Sequence, residues 1–127
     1  MKKGYIYKGQ QKYHKKNVFH NVICLENVTP DKGYFEACVL THSKEYGNIK
    51  MKKKHFEPSD ENGNPYPFQF ENTYIVQKVF EKKVFWIEDN CIGKLTDSGL
   101  RFVLKHRAEF GPSIYYPKRL KGKRRKQ

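Results

Sequence analysis

The chain lacks long apolar runs. None approaches the roughly 20 residues that cross a bilayer, and the charged start, MKKGYIYKG, has no apolar core like that of a secretory signal. The length of 127 residues suits one domain, and an aromatic content of 15% is too high for a disordered chain. We therefore expect one compact cytoplasmic domain without a membrane segment.

Cysteine is scarce: the sequence has three, at Cys24, Cys38 and Cys91. Their number is odd, no two are close in sequence, and each has apolar neighbours. A disulfide framework or a zinc site needs tighter spacing. We predict core thiols, and we predict neither a metal nor a cofactor.

Strong catalytic motifs are missing as well. The sequence has no phosphate-binding glycine loop, no HExxH and no nucleophile elbow. Any catalytic site must therefore consist of residues that the fold brings together from separate segments.

Positive charge is what the sequence has in excess. Lysine and arginine total 26 against 13 acidic residues, a formal net charge of +13. Residues 118–126 hold seven of these bases, and the rest of the chain is basic without them. Clustered positive charge attracts polyanions and speeds their encounter, although it can also serve solubility alone. We expect a polyanionic partner, with nucleic acid favoured and RNA favoured over DNA.

Apolar alternation and turn residues indicate short strands. The strands at 18–26 and 33–41 carry apolar residues at both odd and even positions, so we expect both faces of each strand to be covered by other parts of the protein. Residues 9–17 read as a basic loop and residues 57–67 as an acidic, turn-rich loop. The predicted strands are residues 4–8, 18–26, 33–41, 48–56, 73–79 and 83–87.

One helix start is clear. Thr96 is a good N-cap, Asp97 complements the positive helix end, and Pro112 is expected to end the helix. The predicted fold class is α+β, mainly β: a small SH3-like barrel or rolled antiparallel sheet with one C-terminal helix. We predict a single basic domain over residues 1–116 and a flexible basic tail over 117–127.

A candidate catalytic cluster follows from pairing strands 18–26 and 33–41 as an antiparallel hairpin. A register with His20 opposite Leu40 gathers four residues at its open end. Imidazole, hydroxyl and lysine groups suffice for metal-free RNA cleavage, although a solvated or core-satisfied histidine is the plainer interpretation. The predicted catalytic residues are His20, Thr41, His42 and Ser43.

Basic side chains indicate where the phosphate backbone of a nucleic acid would bind. Lysines alternate along one face of the predicted strand 48–56, an arrangement that suits either phosphates or a charged edge strand. The predicted nucleic-acid-binding residues are His14, Lys15, Lys16, Lys50, Lys52, Lys54, Lys118, Arg119, Arg124 and Arg125.

The order of these segments resembles the MazF/PemK family of toxin–antitoxin ribonucleases. The likeness is carried by GYIY at 4–7, NVICL at 21–25, ACVLTHS at 37–43 and GKLT at 93–96, and it covers residues 3–108. It implies an SH3-like barrel, a homodimer, single-stranded RNA bound across the dimer without metal, and an acidic antitoxin partner. Thr41 and Ser43 match the family's hydroxyl position, whereas His20 and Asn21 stand near its catalytic Arg-Pro.

Three functions remain open. The first is a metal-independent endoribonuclease of the toxin type that cleaves single-stranded RNA. The second is a nucleic-acid-binding module without catalysis, and the third is an interaction module that docks an acidic protein.

Overall fold

The computed structural model describes residues 2–11, 18–27, 33–42, 44, 47–83, 87–110 and 114–115. Within these ranges a turn of 3-10 helix covers Lys53–His55 and one α-helix, α1, covers Asp97–Arg107. The predicted tail over 117–127 lies outside them. The strands are β1 (Tyr5–Gln11), β2 (Val18–Cys24), β3 (Tyr34–Thr41), β4 (Ile49–Lys50), β5 (Tyr74–Lys83), β6 (Ile87–Lys94) and β7 (Ile114–Tyr115).

These strands form one sheet in the order β4–β5–β3–β2–β1–β6, antiparallel throughout, and β7 pairs with β5 in parallel. The ladder of described strands is open, with β4 and β6 at its ends. The chain after β4 nevertheless reaches β6: Phe56 bridges Leu95, and the Glu57 amide donates to the Lys94 carbonyl oxygen at 2.9 Å. The mainly β, α+β class with one helix is confirmed, whereas the SH3-like barrel stays a prediction.

Strands β2 and β3 form the predicted hairpin, but the predicted register is wrong by one residue. Asn21, rather than His20, lies opposite Leu40. Both strands are apolar on both faces, so the hydrophobic pattern fits either register. At the far end of the ladder the Glu26 carboxylate accepts the Glu36 amide hydrogen at 2.9 Å.

Alternate residues of the central strands pack into two apolar clusters, which confirms that both faces of β2 and β3 are covered. The cluster beneath α1, the helix-side cluster, consists of Ile6, Ile23, Leu25, Cys38, Leu40, Met51, Phe56, Ile75, Leu95 and Val103. The second cluster consists of Tyr7, Val22, Cys24, Phe35, Ala37 and Val39.

The cysteines behave as predicted. None of the three forms a disulfide; Cys24 and Cys38 are buried, and the half-buried Cys91 packs against the second cluster. Burial raises the pKa of the Cys38 thiol to about 12. A thiol with that pKa remains protonated and acts as a small apolar core group.

Helix α1 begins where the sequence predicts. The Thr96 hydroxyl accepts the Gly99 amide hydrogen at 3.1 Å, which satisfies a donor that the first helical turn leaves unpaired. Val103 lies on the buried face of the helix. At the other end, the Arg107 guanidinium pairs with the Glu36 carboxylate on β3. The helix is therefore held to the sheet along its length.

Three predicted boundaries are wrong. β1 continues to Gln11, into the segment predicted as a basic loop. β5 continues to Lys83 rather than ending at residue 79. β6 covers Ile87–Lys94, where pairing with β1 recruits a polar sequence that has little strand character of its own. Residues 84–86 of the predicted strand 83–87 lie outside the described part. The predicted strand 48–56 is reduced to Ile49–Lys50, since the chain then turns into 3-10 helix.

Candidate nucleic-acid interface

The lysine turn comprises residues 50–54 and has lysine at four of its five positions. All four lysines are exposed, including the predicted binding residues Lys50, Lys52 and Lys54. Strand alternation would have turned Lys53 inward, but the 3-10 turn exposes it too. The turn therefore concentrates more positive charge than the predicted strand would.

His55 anchors the lysine turn from inside. Its ring is 4% exposed and stacks on Phe102 of α1, with ring centroids 4.3 Å apart. Its Nδ1 atom accepts the Lys52 amide hydrogen at 3.0 Å. Burial, and then the positive charges of Lys54 and Lys52, lower the pKa of His55. The ring is therefore kept neutral, which is the state that an accepting Nδ1 requires.

The start of α1 holds the same turn from the other side. The Lys54 carbonyl oxygen accepts hydrogen bonds from the hydroxyls of Thr96 at 2.8 Å and Ser98 at 3.3 Å. The His55 carbonyl oxygen accepts the Thr96 amide hydrogen at 3.0 Å. The exposed lysines thus stand on a backbone that is fixed to the helix.

Among the described residues, the lysine turn makes no ion pair. In the part of the chain that the structure describes, no carboxylate lies within ion-pair distance of any of its four ammonium groups. Exposed ammonium groups of this kind are available to bind the phosphates of a nucleic acid. Such binding releases the counterions that the phosphates had attracted.

Three residues on adjacent strands form a row across the sheet, which we call the outer row. Tyr74 of β5 pairs with Thr41 of β3 on one side and with Lys50 of β4 on the other. The neighbouring residues Leu40 and Ile75 pack into the helix-side cluster, so by alternation the outer row faces away from it. Two strand spacings separate Thr41 from Lys50, about 10 Å.

His42 directly follows the outer row and is exposed. Its Nδ1 atom lies 3.1 Å from the carbonyl oxygen of Asn72, in the turn before β5. A carbonyl oxygen only accepts, so Nδ1 carries the hydrogen in this contact. In a neutral ring Nε2 is then the proton acceptor, which is the state that a general base needs.

The predicted catalytic cluster is only partly assembled. Thr41 lies in the outer row, two strands away from Lys50, and His42 follows it in the chain. His20 pairs with Gly9 on β1, and one step beyond the observed β2–β3 pairs the same register sets its backbone opposite Thr41. The contacts of the His20 side chain lie outside the described part, as do the predicted residues His14, Lys15, Lys16, Ser43, Lys118, Arg119, Arg124 and Arg125.

Sequence reasoning missed Tyr74. The segment TYIVQKV was identified as a strand, and alternation sets Tyr74 on the opposite face from the buried Ile75. This alternation was the signal from which an outward-facing Tyr74 could have been predicted. Thr41 and Lys50 were predicted as site residues, but their position beside Tyr74 could not be found in this way, because they come from other strands far upstream in the chain.

Two further findings concern the described residues alone. They contain no group of three or more His, Cys, Asp or Glu side chains arranged to hold a metal ion. They also include no helix with the length and apolar character needed to span a bilayer.

Among known proteins, no family model, no curated sequence and no solved structure matches this chain.

Proposed function

We propose that the protein binds single-stranded RNA through the lysine turn and the outer row, in the cytoplasm. The supporting observation is that four exposed lysines without carboxylate partners among the described residues lie close together in the chain, and that the first of them, Lys50, pairs with Tyr74 in the outer row. Lysines bind the phosphate backbone whatever its sequence, and Tyr74 offers a ring for an unpaired base. RNA is favoured over DNA because Nε2 of the exposed His42 can bond a 2′-hydroxyl.

A binding measurement tests this proposal. We expect the full chain to bind labelled single-stranded RNA in dilute buffer, and the logarithm of the affinity to fall linearly with the logarithm of the salt concentration. DNA of the same sequence should bind more weakly. Affinity that ignores salt, or no binding to RNA, would reject the proposal. An acidic peptide that RNA failed to displace would instead identify a protein-docking module.

A second candidate, metal-independent RNA cleavage, is favoured by the contact between His42 and Asn72. In this reaction Nε2 of His42 takes the proton of a 2′-hydroxyl, the oxygen attacks the adjacent phosphorus, and the 5′-oxygen leaves with a proton from a second group. Lys50 offsets charge that develops on the phosphate. The similarity to the MazF/PemK family, with its homodimer and acidic antitoxin, belongs to this candidate and stays a prediction.

A further inference from the structure

A cleft opens where the chain leaves the lysine turn. It lies between residues 56–58, residues 66–70 and the end of β6. An inner part of about 130 Å³ joins a mouth of about 350 Å³ through residues that line both. Its walls are the aromatic residues Phe56, Tyr66, Phe68 and Phe70. Its charged residues are Glu57 and Lys94, which line both parts, and Asp60 and Glu61, which line the mouth.

The aromatic walls are held in place by the sheet. The rings of Phe56 and Phe70 are stacked, with centroids 5.9 Å apart and an interplanar angle of 18°. The Phe68 amide donates to the Ile92 carbonyl oxygen at 2.9 Å. This close approach needs a glycine on β6, because a Cβ at Gly93 would lie 3.1 Å from the Phe68 Cβ. The cleft is therefore preformed, as small-molecule and base pockets usually are.

Three polar groups lie at these walls: the Glu57 carboxylate, the Tyr66 hydroxyl and the Lys94 ammonium. Within the described residues, the Glu57 carboxylate and the Tyr66 hydroxyl have no hydrogen-bond or ion-pair partner. Burial raises the pKa of Tyr66 to about 12, so its hydroxyl keeps its hydrogen. The Lys94 ammonium lies 5.2 Å from the centroid of the Tyr5 ring. The cleft thus offers a carboxylate acceptor, a hydroxyl donor and one ammonium group beside flat apolar surfaces, with two more carboxylates, Asp60 and Glu61, at its mouth.

We infer that this cleft binds one unpaired guanine base of the RNA that the lysine turn holds, and the inference rests on the proposed RNA binding. Aromatic walls suit a planar base, and a lining that contains the carboxylates of Glu57, Asp60 and Glu61 suits a base edge that carries hydrogen-bond donors. Guanine presents two neighbouring N–H donors, at N1 and N2, to the two oxygens of Glu57, whereas each other base presents one such group. Glu57 lies three residues beyond Lys54, at most about 11 Å along an extended chain, so the two sites serve adjacent nucleotides.

The test compares four short oligouridine RNAs that carry a single central guanine, cytosine, adenine or uracil. With the full chain, the guanine RNA should bind at least about fivefold more tightly than the others, because a bidentate contact distinguishes bases to that degree. Glu57→Gln keeps the size of the side chain but replaces one acceptor oxygen with a donor, so the guanine preference should disappear. Glu71→Gln makes the same charge change at an exposed position outside the cleft and should leave the preference intact.

A second variant separates stacking from hydrogen bonding. Phe68→Leu retains an apolar side chain at the wall but removes the ring, so it should weaken guanine binding while the salt slope stays unchanged. Salt-dependent binding without base preference would overturn the guanine site and leave RNA binding standing. A preference that survives Glu57→Gln would overturn it too. Failure of all four RNAs to bind would remove both proposals.

Discussion

The backbone of Gly99 lies directly against the backbone of His55: a Cβ at Gly99 would stand 2.1 Å from the His55 carbonyl oxygen. No side chain fits that gap, so the first turn of α1 can reach the lysine turn only with glycine at this position. Thr96 and Ser98 complete the attachment through the Lys54 carbonyl oxygen. The position of the lysine charges therefore depends on where the helix begins.

Gly99→Ala should destabilise the protein, because the added methyl group must push the helix away from His55. Overpacking of this kind costs about 1–3 kcal/mol, which urea unfolding would measure as a lower midpoint. Gly33→Ala is the matched control, since nothing lies within 4 Å of a Cβ at Gly33. Equal stability of the two variants would contradict the close approach of the two backbones.

Stability should fall as the solution becomes more acidic, because His55 must remain neutral in the folded protein. Its pKa in the fold is lower than the 6.5 of an unfolded histidine, through burial first and then the charges of Lys54 and Lys52. Below pH 6.5 the unfolded chain therefore takes up a proton that the folded chain resists, and the free energy of unfolding decreases.

The measurement compares urea unfolding at about pH 8 and about pH 5 for the native chain and His55→Asn. Asparagine keeps an acceptor for the Lys52 amide hydrogen but does not titrate. The variant should be less stable at both pH values, because it loses the stacking on Phe102, yet its stability should change less between them. An unchanged difference between the two pH values would assign the acid sensitivity to other groups.

Charge removal in the lysine turn should weaken RNA binding, because fewer phosphates are then neutralised. In Lys52→Gln with Lys54→Gln, the slope of log affinity against log salt should fall by roughly 0.7 for each phosphate that the protein no longer neutralises. The paired control, Lys3→Gln with Lys105→Gln, removes the same charge from exposed positions elsewhere. If both pairs reduced the slope equally, net charge rather than the lysine turn would bind the RNA.

Cleavage, if it occurs, should depend on Nε2 of His42. His42→Asn keeps a side-chain N–H for the Asn72 carbonyl oxygen but lacks the base, so RNA binding should persist while cleavage in EDTA falls by about 100-fold or more. Gel analysis of labelled RNA gives the rate. Cleavage at an undiminished rate would remove His42 from the mechanism, and intact RNA with the native chain would leave binding as the function.

Some features were predictable because they depend on neighbouring residues. The N-cap at Thr96 is a local event within four residues, since its hydroxyl bonds the Gly99 amide hydrogen in the first helical turn. The burial of both faces of β2 and β3 was predictable because each strand has apolar residues at both odd and even positions. The positive charge of residues 50–54 is a matter of composition alone.

By itself, then, the sequence determined the helix start, the burial of both faces of the central strands β2 and β3, and the excess of positive charge. Tertiary structure alone decided that Asn21 rather than His20 faces Leu40, that β6 forms from a polar segment, and that Tyr74 stands between Thr41 and Lys50. The reason is physical: strands that are apolar on both faces satisfy the core in more than one register. Which one forms depends on hydrogen bonds and packing between segments far apart in the chain.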